Sequence, residues 1–291
     1  MVPQAKVLPH VPYRQALKNF SEGNAAYYRQ PSVHYLEPFQ IFGNLYYVGD
    51  KRVCCHLVDT GAGLILFDSG YPQATHMLID SIWRLGFDPA DIRYIIHSHG
   101  HFDHFGGSNE MKAIYGCELL MSAADTASLR EDPRRALIEW GPKPNDTVAW
   151  PDRELRDGDI IRLGNTEIRC VLTPGHTVGV MTFFFDVTDG ETVLRVGYMG
   201  GAGFFTIYRE HCRDFGLPED LCLRLGQSIQ KVWDEPVDIT LGNHPSQNCT
   251  LEKRRWMLEH PGENPFVDPN GWHAFLRALE EKRREFETLG Y

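Results

Sequence analysis

The stretch HSHGHFDHFGG, His97 to Gly107, constrains this chain more than any other: four histidines and an aspartate fall within eight positions, and paired glycines follow. The run before it, IRYIIHS, is short, apolar and rich in isoleucine, as a buried strand is. A helix is predicted from Ser108 to about residue 115, so the histidines occupy the loop between a strand end and a helix. Such loops carry sites because a rigid sheet holds them while their own backbone is free to vary. Neutral imidazole is a common borderline-soft metal ligand. Histidines at i and i+2, with aspartate and histidine at i+4 and i+5, can fan out from one turn toward two metal positions. The glycines permit the backbone that such a turn needs. A chance group of solvated histidines is the alternative, and the H-x-H-x-D-H order directly after a buried strand argues against it.

The flanking sequence supplies the frame. FQIFGNLYYVG, RVCCHLVDT and GLILFDSG read as a meander of three strands broken by Gly and Asp-Thr-Gly turns. THMLIDSIWRLG carries apolar residues at Met77, Leu78, Ile82, Trp83 and Leu85 and stops on Gly86, which predicts an amphipathic helix with a glycine just past its end. The alternation continues with a strand at CELLMS, a helix near 123–131, and strands at GDIIRLGNTEIRCVLTP and VMTFFFDV. LRLGQSIQKVW and WHAFLRALEEKRREFETL then read as helices, with EEKRREFE as a solvated, ion-paired face. The fold class is therefore α/β, with two β-sheets and helices packed outside them. Residues 1–36 read as a polar, irregular N-terminal arm ahead of one domain over 37–291. Residues 132–152, rich in Pro and Trp, read as a long loop of the kind that is usually functional or disordered.

Composition narrows the partners. At 291 residues and 42% hydrophobic, the chain can bury a large core. Its formal net charge of -10 would repel a phosphate backbone over most of the surface, so nucleic acid is excluded as a partner. The first twenty residues hold no long apolar run, and the expectation is a cytoplasmic protein that binds neither membrane nor nucleic acid and acts on a small molecule. Seven cysteines without a C-x-x-C spacing suit a reducing compartment.

HGHFDH resembles the H-x-H-x-D-H signature of the metallo-β-lactamase superfamily. Asp68 in LILFDSG, His176 in TPGHTVG and His244 in LGNHPS match that family's other motifs. FQIFGNLYYVG, TPGHT and NPFVDPNGW are more narrowly similar to the third subclass of class B metallo-β-lactamases. The resemblance implies an αββα sandwich of two mixed sheets flanked by helices, with two zinc ions per chain at one edge. It implies that His99, His101 and His176 hold one ion and that Asp103, His104 and His244 hold the other. Its catalytic carboxylates would be Asp103, which orients the attacking hydroxide, and Asp68, which accepts hydrogen bonds beneath the ligand loop; Ser98 and Thr173 would help similarly. The implied chemistry is zinc-dependent opening of an amide, lactam, ester or lactone. A lactonase or esterase, or a one-iron redox enzyme such as a persulfide dioxygenase, is the alternative within the superfamily.

Two departures carry weight. VGYMGGAGF lacks the bridging aspartate of glyoxalase II, lactonase and ribonuclease Z patterns, in agreement with the third subclass. Gly200, Gly201, Ala202 and Gly203 also lack the two serines that help those lactamases hold a substrate carboxylate. For His97 a packed or solvated role is weighed against a donor role behind the ligand loop, and His10, His34, His56, His76, His211, His260 and His273 are assigned surface or capping roles. Trp140, Trp150 and Phe205 lie in segments that resemble the family's flanking loops. Tyr198 and Tyr208 are weighed as groups that polarise a substrate carbonyl, against plain packing.

Overall fold

The computed structural model describes residues 10–138 and 147–290. Helix α1 (Tyr13–Arg29) precedes a seven-stranded sheet. That sheet runs in order β1 (Phe39–Phe42), β2 (Leu45–Tyr47), β3 (His56–Asp59), β4 (Leu64–Phe67), β5 (Ile92–Ile96), β6 (Glu118–Ser122) and β7 (Arg153–Leu155). Pairing is antiparallel from β1 to β4, where short turns connect the strands, and parallel from β4 to β7. The parallel part needs crossovers. These contain α2 (Thr75–Arg84), α3 (Phe102–Phe105), α4 (Ser108–Tyr115) and α5 (Ala123–Glu131).

The second sheet runs from β8 (Ile160–Leu163) through β9 (Thr166–Leu172), β10 (Met181–Thr188) and β11 (Val193–Met199) to β12 (Ile239–Gly242). Its pairing is antiparallel except between β11 and β12. Helices α6 (Arg209–Asp214) and α7 (Leu221–Lys231) lie between those last two strands in sequence, and α8 (Thr250–Glu259) and α9 (Gly271–Thr288) follow them.

Strand β10 shows how the layers form. Five consecutive residues from Met181 are buried, and successive side chains point to opposite faces. Phe183 and Phe185 enter the core between the sheets, where Phe67 of β4 stacks on Phe185 with ring centroids 5.1 Å apart. Phe184 turns the other way, toward Leu225 of α7 and Trp272 of α9. On the first sheet, Leu66, Ile95 and Leu119 face Leu78 and Ile82 of α2, Met111 of α4 and Leu129 of α5. Full burial of each such side chain stabilises the fold by about 1.5–3 kcal/mol. The result is the expected αββα sandwich. All seven cysteines are free.

Strand direction places the site. β4, β5 and β6 are parallel, so their carboxyl ends share one edge of the first sheet. β9 and β11 are each antiparallel to β10, and β12 is parallel to β11, so these three also end together. Tyr198 near the end of β11 bonds Asp68 just beyond β4, and the Met181 N–H donates to the Ser98 carbonyl, so the two edges meet.

The N-terminal segment differs from expectation: residues 13–29 are helical where an irregular arm is predicted. No side chain caps the start of α1 at Pro12. The helix is held by tertiary contacts instead. Tyr13 bonds Nδ1 of His211 at 3.1 Å, and Tyr27 bonds the Asp50 carboxylate and packs edge-on to Tyr71 at 4.8 Å. Between 132 and 138 the expected loop contains a short 3-10 helix, Pro133–Ala136. Trp140 lies outside the described residues.

His56 and His211 are buried, against the expectation of surface roles. His56 is 1% exposed between Tyr47 and Tyr198, and burial lowers its pKa to about 4. Between that value and the unfolded value near 6.5 the unfolded chain binds the extra proton, so stability contributed by neutral His56 is lost as pH falls through this window. His56→Phe keeps a ring of similar shape and removes the titration. Urea unfolding of the metal-free variant at pH 7.5 and 4.5 is expected to show a smaller acid loss than the unsubstituted protein, by up to about 3 kcal/mol. Equal acid losses in the two proteins would contradict this.

Candidate metal centre

Asp68 leaves β4 with a left-handed backbone, φ 57°, that turns its carboxylate under the histidine loop. It is fully buried and accepts four hydrogen bonds: from Ser98 N at 2.7 Å, Ser98 Oγ at 2.7 Å, His104 Nδ1 at 2.8 Å and Tyr198 Oη at 2.8 Å. Burial alone would raise its pKa, but the His104 imidazole and the Ser98 donors outweigh it and hold the carboxyl below its ordinary value. Tyr198 is thereby corrected from a candidate catalyst to a buried donor to Asp68. Tyr208 is likewise buried and donates to the Val11 carbonyl.

Above Asp68 the loop presents its first cluster. Nε2 of His99 lies 2.9 Å from Nδ1 of His101, which lies 3.1 Å from Nε2 of His176. His99 donates through Nδ1 to the Gly200 carbonyl at 2.7 Å, and His176 through Nδ1 to the Gly203 carbonyl at 3.0 Å. Their Nε2 atoms therefore carry lone pairs, and the one nitrogen of His101 between them cannot donate to both. Three converging imidazole nitrogens with too few protons suit a cation. Tetrahedral ligands of zinc at about 2.0–2.1 Å stand roughly 3.3 Å from one another, close to the separations here. Burial, reinforced by neighbouring imidazoles, lowers the pKa of His99 and His101 well below the ordinary value and that of His176 to about 3. These rings are thus neutral, the form that binds metal.

The second cluster adjoins it, with the His99 and His104 ring centroids 4.2 Å apart. Asp103 Oδ2 lies 3.6 Å from His104 Nε2 and 3.7 Å from His244 Nε2. His104 gives its Nδ1 proton to Asp68, and its buried Nε2 has no hydrogen-bond partner. Buried polar atoms are rarely left so, and a metal ion would satisfy this one. Burial works against charge on His104, but the Asp103 and Asp68 carboxylates outweigh it and raise its pKa. His244 donates through Nδ1 to the Arg52 carbonyl at 2.7 Å, which turns its Nε2 toward Asp103. Within each trio, His99, His101 and His176 or Asp103, His104 and His244, the ligand atoms lie within 4.8 Å of one another. All six residues singled out as metal ligands are therefore brought together, four on one loop and two from distant strand ends.

The glycines after β11 have a role that the sequence does not show. Carbonyls of Gly200 and Gly203 accept from His99 and His176, so this backbone lies directly on the ligand rings. A Cβ at Gly200 would stand 2.3 Å from the Met181 carbonyl oxygen, and one at Gly203 would stand 2.9 Å from Cε1 of His176. Serines cannot occupy these positions without displacing their neighbours.

Asn243, Ser69 and Ser108 support the site and escape sequence reading. Asn243, beside His244, donates to the Gly200 carbonyl at 2.7 Å. His97, Ser108 and Ser69 form a buried chain with links of 2.7 Å, and Ser69 reaches the His104 carbonyl at 3.2 Å. His97 is thus buried, and its hydrogen bonds run through the two serines to the His104 backbone. Thr173 bonds Thr182 at 2.8 Å below the His176 loop. Phe205 packs against Tyr13 and His211, and Trp150 is exposed.

Residues 48–203 match the model of the metallo-beta-lactamase superfamily, and the chain belongs to that superfamily. Its structure is similar to that of a subclass B3 metallo-beta-lactamase of Bradyrhizobium japonicum, at 29% identity and a TM-score of 0.72 over 88% of this chain and 95% of that one. The metallo-beta-lactamase of Legionella gormanii is similar at 28% identity and a TM-score of 0.74, again over 88% of this chain and 95% of that one. Among curated proteins, a hydroxyacylglutathione hydrolase of Rhodospirillum rubrum is 31% identical over 120 residues, 38% of this chain and 40% of that protein. An N-acyl homoserine lactonase of Bacillus thuringiensis is 26% identical over 167 residues, 49% of this chain and 61% of that protein. The chain thus spans about two-fifths to three-fifths of the length of these curated relatives.

Proposed function

We propose that this chain is a dinuclear zinc hydrolase that opens an amide, lactam, ester or lactone bond in a small molecule. The observation that carries the proposal is the pair of adjoining three-ligand clusters at the sandwich edge, one of which leaves a buried imidazole nitrogen without a partner. His99, His101 and His176 would hold one ion, and Asp103, His104 and His244 the other. Zinc bound in such sites supplies Lewis acidity for the attacking water and for the leaving group. The chain's own groups do the rest. Asp103 accepts a hydrogen bond from the attacking water and fixes its direction, Asp68 holds the loop that carries the ligands, and the carbonyls of Gly200 and Gly203 orient two of the imidazoles. The site is proposed to belong to a single domain over residues 37–291, with residues 1–36 as an N-terminal arm. Among the described residues no helix is long and apolar enough to cross a membrane.

Zinc-loaded protein, assayed against a chromogenic cephalosporin, an acyl lactone, an acylglutathione thioester and simple esters, is expected to carry about two zinc ions per chain. It should hydrolyse at least one of these substrates, with activity abolished by a chelator and restored by zinc. Without hydroxyls at 200–203 to anchor a carboxylate, any β-lactam should show a high KM. One iron per chain and no hydrolysis would replace this proposal with the redox alternative.

A further inference from the structure

The two loops that bring the three-histidine cluster together share no strand pairing with each other. His99 and His101 leave β5 of the first sheet, and His176 follows β9 of the second. The buried carboxylate of Asp125, in the first turn of α5, joins them. Its Oδ2 accepts from the N–H of Gly100, between His99 and His101, at 2.7 Å. The same oxygen accepts from Oγ1 of Thr177, next to His176, at 2.8 Å. That Thr177 hydroxyl in turn accepts from the N–H of Gly179 at 3.3 Å.

Both loops are shaped to admit it. A Cβ at Gly100 would stand 3.2 Å from the Asp125 Cβ and 3.3 Å from its Oδ2. At Gly179 it would stand 2.4 Å from the Asp125 N and 2.6 Å from its Cγ. Ser122 accepts from the Asp125 N–H at 3.0 Å and so fixes the turn that presents the carboxylate. A carboxylate costs more to bury than an amide or a methyl group, and here it spans the gap with two charge-assisted bonds, one to each loop.

We propose that Asp125 is a positioning residue for the first metal: its carboxylate ties the His99–His101 loop to the His176 loop and thereby sets the spacing of the three ligand nitrogens. This rests on the three-histidine cluster being a metal site. Outer partners of metal ligands orient them, and their loss typically lowers affinity by about 10- to 100-fold.

The test compares Asp125→Asn, Asp125→Ala and Thr177→Val with the unsubstituted full-length chain. Zinc affinity is measured by competition with a chromophoric chelator, ligand geometry by the absorption of the cobalt(II)-loaded protein, and fold stability by urea unfolding of the metal-free form. Asp125→Asn, equal in shape, is expected to lose about 10-fold or more in zinc affinity and to shift the cobalt spectrum. Thr177→Val should show a smaller loss in the same direction, and the double variant less than the sum of the two, because both remove one bond. Repeating Asp125→Asn on a His244→Ala background, where only the three-histidine set is complete, assigns the loss to that cluster. Unchanged zinc affinity and cobalt spectrum, with reduced urea stability alone, would show Asp125 to be merely structural and overturn the inference. If Asp125→Ala fails to fold, Asp125→Asn and Thr177→Val still decide. An unsubstituted chain that takes up no metal overturns the dinuclear reading and this inference together, whereas two bound ions beside an unaffected variant overturn the inference alone.

Discussion

His244→Ala is expected to stay folded, to retain close to one zinc per chain and to lose most of its turnover, about 100-fold or more. The side chain is 30% exposed, and it bonds the Arg52 carbonyl and packs edge-on to the His104 ring, so truncation removes little packing. That one bond is worth about 0.5–1.5 kcal/mol. The consequence for metal is larger. Without His244, the second cluster retains Asp103 and His104, too few ligands for tight binding, while His99, His101 and His176 still form a complete set. His176→Ala should act in the opposite sense and damage the first site. Metal analysis beside a kinetic assay distinguishes the two variants. A His244→Ala protein with two zinc ions and full activity would show that another residue completes the second site.

Asp68→Ala should produce the largest loss of stability of any single substitution at the site. Four donors converge on this carboxylate, and the alanine variant would leave Ser98 N–H, Ser98 O–H, His104 Nδ1–H and Tyr198 O–H buried without an acceptor. Each orphaned group costs about 1–3 kcal/mol, offset in part by removal of a buried charge. Alanine also tolerates the left-handed backbone less well than aspartate does. A loss of about 4 kcal/mol or more is expected from urea unfolding of the metal-free protein. Asp68→Asn should fall between, since it keeps the shape and one acceptor oxygen. With His104 no longer held through Nδ1, the second metal site should weaken before the first. A loss below about 1 kcal/mol in Asp68→Ala would mean that the four bonds do not hold the loop as described.

The candidate metal site was legible where it is local. His99, His101, Asp103 and His104 sit on one loop, and a buried strand before it with glycines after it is enough to read that loop as a ligand turn. Asp68, His176 and His244 are different. Each is an isolated residue at a strand end, and resemblance of motif singled them out, because nothing within ten residues of any of them makes a cluster. The sandwich brings them in through the shared direction of β4, β5, β9, β11 and β12.

Other assignments depended on what lies across the fold. Tyr198 reads as a free phenol until the two sheets pack and bury its hydroxyl on Asp68. His56 and His211 read as surface residues because a lone histidine carries no pattern, and each packs against an aromatic ring from a remote segment, Tyr198 on His56 and Tyr13 on His211. Helix α1 was missed for a related reason: its anchors, Tyr13 and Tyr27, find their partners at His211 and Asp50 rather than within the helix.

The amino-acid sequence by itself determined the alternation of strands and helices, the ligand turn and the residue types able to bind metal, because periodicity and contiguous spacing act over a few residues. The tertiary structure alone decided which carbonyls hold the His99, His176 and His244 imidazoles, why a Cβ at Gly200 or Gly203 would displace its neighbours, and that the Asp125 carboxylate bonds both histidine-bearing loops. Those depend on close approach between segments far apart in the chain, where a few tenths of an ångström decide whether a bond forms or atoms collide.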